Sequence, residues 1–474
     1  MNINNSRKKV IILTLIVILP TISLIKFNLN RSRNYQTNTE DVFSYPKISW
    51  DYGNGSIDNP HVLENKTFVG TGSNGYFLYD KTFHFIIRNC TFIDSGTADD
   101  NAGLKLVAVQ NGIITNNTFT SCQNGIYFAG QGSKQCKNNV VYGNKFISNL
   151  RGIRLWSQAK NINITYNIFW NNMDGIKAGG ECNGNNILYN NFSSCNNGIE
   201  IANSQTNLLE NNRITGSNFA GIYFYFGGSH TSSKNLVKNS DLGILLDYTT
   251  SNTFSDCDIT NNDAGIWFQS NADNNLFYNN TFAGNTLQGQ ITNSYSNSFS
   301  YNGRGNSWDD YDGFDCNNDG IGETPYVSGD IVDNYPLCSR LDTFDPIVSI
   351  TEPIMESDYE STAPSFALTI QEYLVHSQWY TLDGGITNYT FTGVTGDVSQ
   401  ALWDNLAFGD YNLTFYIQDL AGNVGSATVV ISKEEEPEPE PEPQIPLGSF
   451  YLPVIVVSII IALLILRKKY KFEL

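Results

Sequence analysis

Residues 174–202 read DGIKAGGECNGNNILYNNFSSCNNGIEIA, and the dipeptide Gly-Ile at Gly175 returns at Gly198, a step of 23 residues. Along the rest of the chain, Gly-Ile or a close variant recurs with steps of 22 to 27 residues, at Gly103, Gly125, Gly152, Gly175, Gly198, Gly221, Gly243 and Gly265. A second pattern, Asn-x-Phe or a variant, runs in phase and ends at Phe92, Phe119, Phe146, Phe169, Phe192, Ile214, Ile259 and Phe282. Internal repetition at a fixed short period is the signature of a repeat architecture.

The length of the repeat selects the kind of solenoid. A period of 22 to 23 residues is too short for two packed helices, and the repeat is rich in β-branched, aromatic and turn residues. Leucine-rich repeats share the period but need a dense Leu pattern, which this sequence lacks. The pattern therefore predicts a parallel β-helix of about ten coils over residues 46–305.

Each coil is predicted to place one strand at Gly-Ile and one at Asn-x-Phe, with apolar side chains inward. The second pattern lapses after Ile214, which predicts an irregular coil with extra residues around 227–233. Asn at the corners is expected to accept a left-handed backbone and to hydrogen-bond from coil to coil as a ladder.

Composition limits the function classes. A formal net charge of −18 argues against a nucleic-acid partner, because Lys and Arg contacts to phosphates dominate such binding. The eight Cys include no C-x-x-C pair, which argues against a zinc-ribbon or thioredoxin-like site. We expect most of them to be small core residues.

Both ends of the repeat resemble a known family. The opening GNGSIDNPHVLENKTF, residues 53–68, resembles the start of many prokaryotic surface β-helices of the pectin-lyase-like class. The closing stretch 306–337 resembles that of NosD-like proteins, at Asn306, Trp308, Asp310, Tyr311, Asp315, Asp319, Gly320, Ile321, Gly322, Pro325, Tyr326, Asp333, Tyr335, Pro336 and Leu337. The resemblance implies a right-handed β-helix of a carbohydrate-binding and sugar-hydrolase superfamily. Copper, linked to that family, is not expected here, since soft-metal sites need Met, His or Cys clusters and this chain has three Met and four dispersed His.

The remaining segments predict an exported, membrane-tethered chain, all-β apart from its anchor. Residues 1–30 have the basic and apolar regions of a signal peptide or N-terminal anchor, and 447–466 are long and apolar enough for a single transmembrane helix before a basic cytoplasmic tail, 467–474. The positive-inside rule then places the folded part outside the cell membrane, with one pass or two. The other predicted units are a linker (31–45), an acidic closing segment (306–341), a small β-sandwich resembling Ig-like modules (342–433) and a Glu/Pro linker (434–446).

The position after Gly-Ile predicts a ligand surface, because side chains alternate along a strand and this one points away from the core. Down the solenoid it carries Lys105, Tyr127, Arg154, Lys177, Glu200, Tyr223, Leu245 and Trp267, and two residues on lie Trp156, Tyr225, Asp247 and Gln269. Sugar rings stack on Trp and Tyr, while charged groups bond hydroxyls or uronates, so we expect Arg154, Trp156, Lys177, Glu200, Tyr223, Tyr225, Asp247 and Trp267 to bind a polysaccharide or cell-surface glycan.

Three functions stay open at this point: a glycan-binding surface module, a polysaccharide lyase or hydrolase on the same fold, and a structural spacer or surface-layer protein. A polygalacturonase-type catalytic set is not recognisable, since the only Asp-Asp pairs, at 99–100 and 309–310, stand outside that context. Catalytic residues are therefore unassigned.

The closing segment also predicts calcium. Asp315, Asn317 and Asp319 alternate before Gly320 as in the first half of an EF-hand loop, and the Ile321 carbonyl and Glu323 could complete the shell. The alternative is a metal-free Asx-rich turn. Cys316 and Cys338 are candidates for a disulfide across this segment.

Overall fold

The structure is a computed structural model that describes residues 49–372, 374–436 and 451–469. Its main body is an all-β, right-handed parallel β-solenoid of about 11 turns, with three parallel sheets of 10, 11 and 10 strands that we name A, B and C. In each turn the chain passes through A, B and C in that order, and each strand pairs with its equivalents in the turns before and after.

Sheet A consists of His61–Glu64, Phe85–Arg88, Gly112–Thr115, Val140–Tyr142, Asn163–Thr165, Asn186–Leu188, Leu208–Glu210, Thr231–Ser233, Thr253–Ser255 and Leu276–Tyr278. Sheet B consists of Thr67–Val69, Thr91–Ile93, Thr118–Thr120, Lys145–Ile147, Ile168–Trp170, Asn191–Ser193, Arg213–Thr215, Leu236–Lys238, Asp258–Thr260, Thr281–Ala283 and Ser307–Trp308. Sheet C consists of Tyr76–Lys81, Leu104–Val109, Asn124–Ala129, Arg151–Trp156, Asp174–Gly179, Asn197–Gln205, Ala220–Gly228, Leu242–Thr250, Ala264–Gln269 and Leu287–Ile291.

Sheets B and C contain the two predicted strands of each coil. Sheet A was not predicted. The coil expected to be irregular is regular, because Val237 takes the inward place between Ile214 and Ile259 that the Asn-x-Phe pattern left empty. The predicted extra residues are not found: the sheet C strand Ala220–Gly228 has nine residues, as do its neighbours Asn197–Gln205 and Leu242–Thr250.

The core is a set of stacked columns. Phe119, Phe146, Phe169 and Phe192 of sheet B are fully buried, and their rings stack 4.5 to 5.0 Å apart from turn to turn. The Gly of Gly-Ile is needed for this packing, because a Cβ on Gly175 would lie 2.6 Å from the Phe192 ring and 2.5 Å from the Gly198 carbonyl oxygen. That close approach explains why the dipeptide marks every coil so regularly.

Buried asparagines form the expected ladders. At the corner between sheets A and B, Asn190 Oδ1 accepts from the backbone N–H of Asn167 at 2.9 Å and from its Nδ2 at 3.0 Å. Asn212 Oδ1 does the same for Asn190. Similar columns run at other corners, for example from Asn185 to Asn207. The ladders satisfy buried corner amides that have no strand partner.

Different residues adopt the left-handed backbone and form the ladder hydrogen bonds, whereas the sequence analysis predicted that one Asn would do both. Tyr166, Asn211 and Lys234 have φ of 56°, 55° and 54°, and each stands directly before a ladder Asn. The left-handed residue turns the chain at the corner between two sheets, and the next side chain then points into the coil. An Asn-Asn pair therefore supplies one residue for each role.

A carboxylate ends the A–B ladder column. Asp333 is fully buried, and its Oδ2 accepts from the backbone N–H of Asn306 at 2.7 Å and from Trp308 Nε1 at 3.0 Å. Its Oδ1 accepts from the backbone N–H of Tyr335 at 3.0 Å. Asp333 lies in the hairpin Tyr326–Ser328 and Ile331–Asp333, so the closing segment supplies the oxygen that a next coil would have supplied.

The chain after the solenoid forms a second β unit, with a core that includes Phe366, Trp403 and Phe415. One sheet has the strands Ile347–Glu352, Ser365–Gln371 and Thr395–Asp397, and the other has Ser357–Tyr359, Val424–Lys433, Gly409–Asp419, Val375–Thr381 and Tyr389–Thr390. A short parallel pair, Cys136–Lys137 and Ala159–Lys160, and the helix Gln400–Asn405 complete the described elements before residue 436. The Ig-like identity of this unit stays a prediction.

The final helix is Tyr451–Lys469. Among the described residues no helix combines the length and the apolar character needed to cross a membrane, so the transmembrane helix predicted over 447–466 is not supported. The predicted signal or anchor, the linker 31–45 and most of the Glu/Pro linker lie outside the described residues.

The disulfide expected in the closing segment is not formed. All eight cysteines are free thiols, including Cys316 and Cys338. The six solenoid cysteines are buried, as expected, and several stand in ladder columns; the backbone N–H of Cys257, for example, donates to Asn280 Oδ1 at 3.0 Å.

Candidate functional site

The predicted ligand surface is one column of sheet C. The pairing register aligns Lys105, Tyr127, Arg154, Lys177, Glu200, Tyr223, Leu245 and Trp267 in successive turns. Two residues further along each strand, Tyr225, Asp247 and Gln269 align in a second column. Trp156 stands two residues after Arg154 on its strand. The face is less open than expected, because Arg154, Glu200 and Leu245 are buried, while Trp156 is 42% exposed.

A loop covers one end of this face. Residues 94–103 join sheet B to sheet C, whereas residues 121–123 suffice in the next turn. Asp99 in this loop accepts from Arg154 Nη1 at 2.8 Å and from Arg151 Nη1 at 3.0 Å. Burial tends to raise the pKa of Asp99, but Arg154 and Arg151 outweigh it and hold that pKa below its usual range. The loop is thus fixed to the sheet by ionic hydrogen bonds.

The next turns carry an alternating charge network. Lys177 Nζ lies 2.7 Å from Glu200 Oε1 and 3.6 Å from Asp174 Oδ2. Asn197 Nδ2 donates to both carboxylates, at 3.0 Å to Asp174 and 3.1 Å to Glu200. Burial raises the pKa of Glu200, and the charge of Lys177 opposes that rise. The network fixes the positions of these side chains on an outward face of the solenoid.

The far end of the face is aromatic. Tyr223 and Trp267 pack against Leu245, which lies between them in the column and is 2% exposed. Tyr225 lies 5.9 Å from Tyr223 between ring centroids. Burial raises the pKa of Asp247 to about 6, and a hydrogen bond with Ser270 partly opposes this. A carboxylate therefore lies among aromatic rings in poorly hydrated surroundings.

Shielded polar atoms without a hydrogen-bond partner concentrate on this face. They are Asn124 Oδ1, Arg151 Nε, Arg154 Nε, Asn197 Oδ1, Asp247 Oδ1 and Trp267 Nε1, and they account for six of the ten such side-chain atoms in the described part of the chain. Buried polar atoms are normally paired, so this concentration of unpaired donors and acceptors distinguishes the sheet C face from the rest of the described chain.

Several residues of this face were missed in the sequence. Asp99, Arg151, Asp174 and Asn197 all take part in its hydrogen bonds. Arg151, Asp174 and Asn197 stand directly before the repeated Gly, and because the following residue turns inward, they share the outward face with the predicted column. Reading the position before Gly as well as the position after Gly-Ile would have found three of the four.

The EF-hand-like loop has its oxygens engaged by backbone amides. Asp315 Oδ1 accepts from the N–H of Asp319 and Asp315 Oδ2 from that of Gly320, while Asn317 Oδ1 accepts from Asp319 and Asp319 Oδ1 from Ile321. The carboxylate of Glu323 accepts from the N–H of Cys316 at 2.7 Å. These bonds are those of an Asx-rich turn. Calcium stays a prediction.

The described residues do not fit a copper site. No group of three or more His, Cys, Asp or Glu side chains among them is placed to hold a metal ion. Met173 and Met355 are exposed and belong to different parts of the fold, and the six solenoid thiols are buried. Burial raises the pKa of Cys136 to about 12, which keeps that thiol protonated and a poor ligand.

An open cleft of about 770 Å³ lies elsewhere, between the closing segment and the second β unit, with Asp312, Phe314, Glu323 and Phe344 in its walls. The polar groups there include the Glu323 carboxylate that holds Cys316, so the cleft offers fewer free partners than the sheet C face. We therefore place the candidate site on sheet C.

Known proteins match parts of the chain. The probable ABC transporter binding protein NosD of Stutzerimonas stutzeri is 37% identical over 82 residues, which cover 17% of this chain and 19% of that relative. The NosD protein of Pseudomonas aeruginosa is 30% identical over 128 residues, 26% of this chain and 29% of that relative. The chain thus matches less than a third of the length of either relative.

Solved structures show weaker likeness. The periplasmic alginate epimerase AlgG is 15% identical with a TM-score of 0.43, over 49% of this chain and 63% of that chain. Bacteriophage CBA120 tailspike protein 2 is 11% identical with a TM-score of 0.40, over 77% and 72%.

Two family models cover most of the solenoid. Residues 37–193 match the model described as "Right handed beta helix region", and residues 175–313 match "Periplasmic copper-binding protein (NosD)". The second match spans the aromatic half of the sheet C face and the start of the closing segment. With the parallel sheets, these matches show that the solenoid is a right-handed parallel β-helix, and its residues 175–313 are similar to NosD.

Proposed function

We propose that the protein binds a glycan along the outward face of sheet C. One observation carries the proposal: six shielded polar atoms without partners lie on this single face. They include donors, such as Trp267 Nε1, and acceptors, such as Asp247 Oδ1. A molecule with many hydroxyl groups can satisfy both kinds, because a hydroxyl donates and accepts.

The aromatic side chains support a sugar as that molecule. Trp156 is exposed on the charged half, where the Arg154 guanidinium lies 4.6 Å from its ring centroid. Tyr223, Tyr225 and Trp267 are partly exposed on the other half. Sugars present apolar ring faces edged by hydroxyls, which suits ring surfaces flanked by fixed polar groups. At about 4.8 Å per turn, the column extends for about 35 Å, enough for an extended oligosaccharide.

A glycan array probed with the full chain, followed by titration of any ligand found, tests the proposal. Trp156→Ala is expected to weaken binding about tenfold through loss of stacking, with Trp267→Ala as a second variant. Trp170→Ala is the matched control, because Trp170 is 51% exposed but belongs to sheet B. Equal affinity of the Trp156 and Trp170 variants, with both folded, would contradict the proposal.

The same experiment separates the alternatives. Each ligand is incubated with the protein and assayed for new reducing ends and unsaturated products. Binding without product supports a binding module, and product formation would assign the face to a lyase or hydrolase. If no glycan binds, a structural role remains as the function that the experiment supports.

We propose a location outside the cell, on the basis of the basic residues that flank the two apolar segments of the sequence. Protease added to intact cells should then remove the solenoid. A solenoid that stays protected from the protease would contradict this location.

A further inference from the structure

We propose that the sheet C face selects a neutral, hydroxyl-rich glycan and discriminates against polyuronates. The inference deepens the proposed function and depends on it. It rests on how the charges of the face are paired, not on their number alone.

Every Lys and Arg on the sheet C strands from Leu104–Val109 to Ala264–Gln269 lies within 3.0 Å of a carboxylate. The pairs are Lys105–Asp100 at 2.7 Å, Arg151–Asp99 at 3.0 Å, Arg154–Asp99 at 2.8 Å and Lys177–Glu200 at 2.7 Å. A uronate ligand would compete with these carboxylates for the guanidinium and ammonium groups. Glu200 is the shielded carboxylate of the set, with 10% of its side chain exposed, so its displacement from Lys177 would leave a buried charge uncompensated.

Arg154 shows this most clearly. Its side chain is 8% exposed, and its Nη1 also donates to the Asp99 carbonyl oxygen at 2.6 Å. Its guanidinium carbon lies 5.4 Å from the Tyr127 ring centroid and 4.6 Å from that of Trp156. One nitrogen of the guanidinium, Nη1, is thus already held by Asp99. Its Nε has no partner and can donate to a single hydroxyl.

The aromatic half holds a carboxylate and no cation. The strands Asn197–Gln205, Ala220–Gly228, Leu242–Thr250 and Ala264–Gln269 contain no Lys or Arg, whereas Asp247 lies among their aromatic rings. Asp241 and Asp263 stand at the edge of the same half, and each raises the negative potential there. A polyanion would meet uncompensated negative charge, which costs affinity.

The donor and acceptor set suits a hydroxyl-rich ligand. Trp267 Nε1 needs an acceptor and Asp247 Oδ1 needs a donor. Hydroxyl groups supply both. Neutral glycans are therefore expected to bind better than polyuronates, and their binding should change little with ionic strength because no net charge is neutralised.

Titration calorimetry of the full chain with neutral hexasaccharides, oligoalginate and oligogalacturonate tests the inference. At least about tenfold weaker binding of the uronates is expected. Asp99→Ala should release Arg151 and Arg154 and raise uronate affinity about tenfold or more. Asp58→Ala is the matched control, since it removes one negative charge at an exposed position outside sheet C and should leave the uronate affinity unchanged.

The outcomes are distinguishable. Uronate binding equal to or tighter than neutral binding would overturn this inference and leave glycan binding intact. An equal gain of uronate affinity in the Asp99 and Asp58 variants would also overturn it, because net charge alone would then explain the effect. Failure of all the ligands would overturn the proposed function itself.

Discussion

Replacing Asn190 by Ala is expected to destabilise the solenoid strongly, whereas replacing its neighbour Asn191 should not. The two residues are chemically identical and adjacent, but Asn190 is 1% exposed in the ladder and Asn191 is exposed on sheet B. Any difference between the variants therefore reports the ladder rather than a change in composition.

The magnitude follows from the hydrogen bonds. Asn190 Nδ2 donates to the Ile164 carbonyl at 2.8 Å and to Asn212 Oδ1 at 3.1 Å, and its Oδ1 accepts two bonds from Asn167. In the Ala variant, Asn212 Oδ1 keeps the Asn190 backbone donor, while the Asn167 N–H and the Ile164 carbonyl lose partners. Each buried polar group left without a hydrogen-bond partner costs about 1–3 kcal/mol, so the free energy of unfolding should fall by about 2–6 kcal/mol.

Urea unfolding followed by far-ultraviolet circular dichroism measures the change. Asn191→Ala should shift the free energy of unfolding by no more than about 0.5 kcal/mol, as is usual for an exposed substitution. If the two variants differ by less than about 1 kcal/mol, the ladder bonds do not stabilise the fold as argued.

Asp333→Ala should lower the unfolding free energy by about 3 kcal/mol, because two buried donors and one partly buried donor lose their acceptor. Asp333→Asn should lower it by clearly less, because one acceptor oxygen remains. Equal losses in urea unfolding would contradict the role of Asp333 at the end of the ladder. The Asp247 pKa is raised from 3.8 to about 6, so the folded chain binds a proton before the unfolded chain as pH falls. The melting temperature should therefore rise between about pH 7 and pH 5, with a smaller rise in Asp247→Asn; equal pH profiles would contradict this. Millimolar calcium should raise the melting temperature of the protein and not of Asp319→Ala; no change in either would assign the loop to a metal-free turn.

The fold was predictable because its core repeats. Gly-Ile and Asn-x-Phe mark sheets C and B, where a missing Cβ and a stacked ring are required in each turn. Sheet A escaped detection because most of its strands have three residues, each with one inward side chain that varies among Ile, Val, Leu, Ser and Phe. Because no single residue type recurs at this inward position, the sheet A strands have no recognisable sequence motif.

The site was only half predictable. Alternation along a strand correctly aligned Arg154, Glu200 and Tyr223, since a column depends only on the repeat. Their burial was not predictable. It arises where the loop carrying Asp99 folds back onto Arg154, 55 residues later in the chain, a contact that no local pattern encodes. Leu245 is hidden for a similar reason, because rings from the adjacent turns close over it.

In each coil the left-handed residue and the ladder asparagine are separate positions, and this separation has an evolutionary consequence. A deletion of one or two residues within a coil would move a ladder amide out of the interior and set every later amide out of phase with its partner. Duplication of a complete coil leaves each amide facing an equivalent neighbour. Genes for such solenoids should therefore gain or lose length by recombination in whole coils, while point insertions accumulate in connections such as residues 94–103, where the chain leaves the ladder and returns to it.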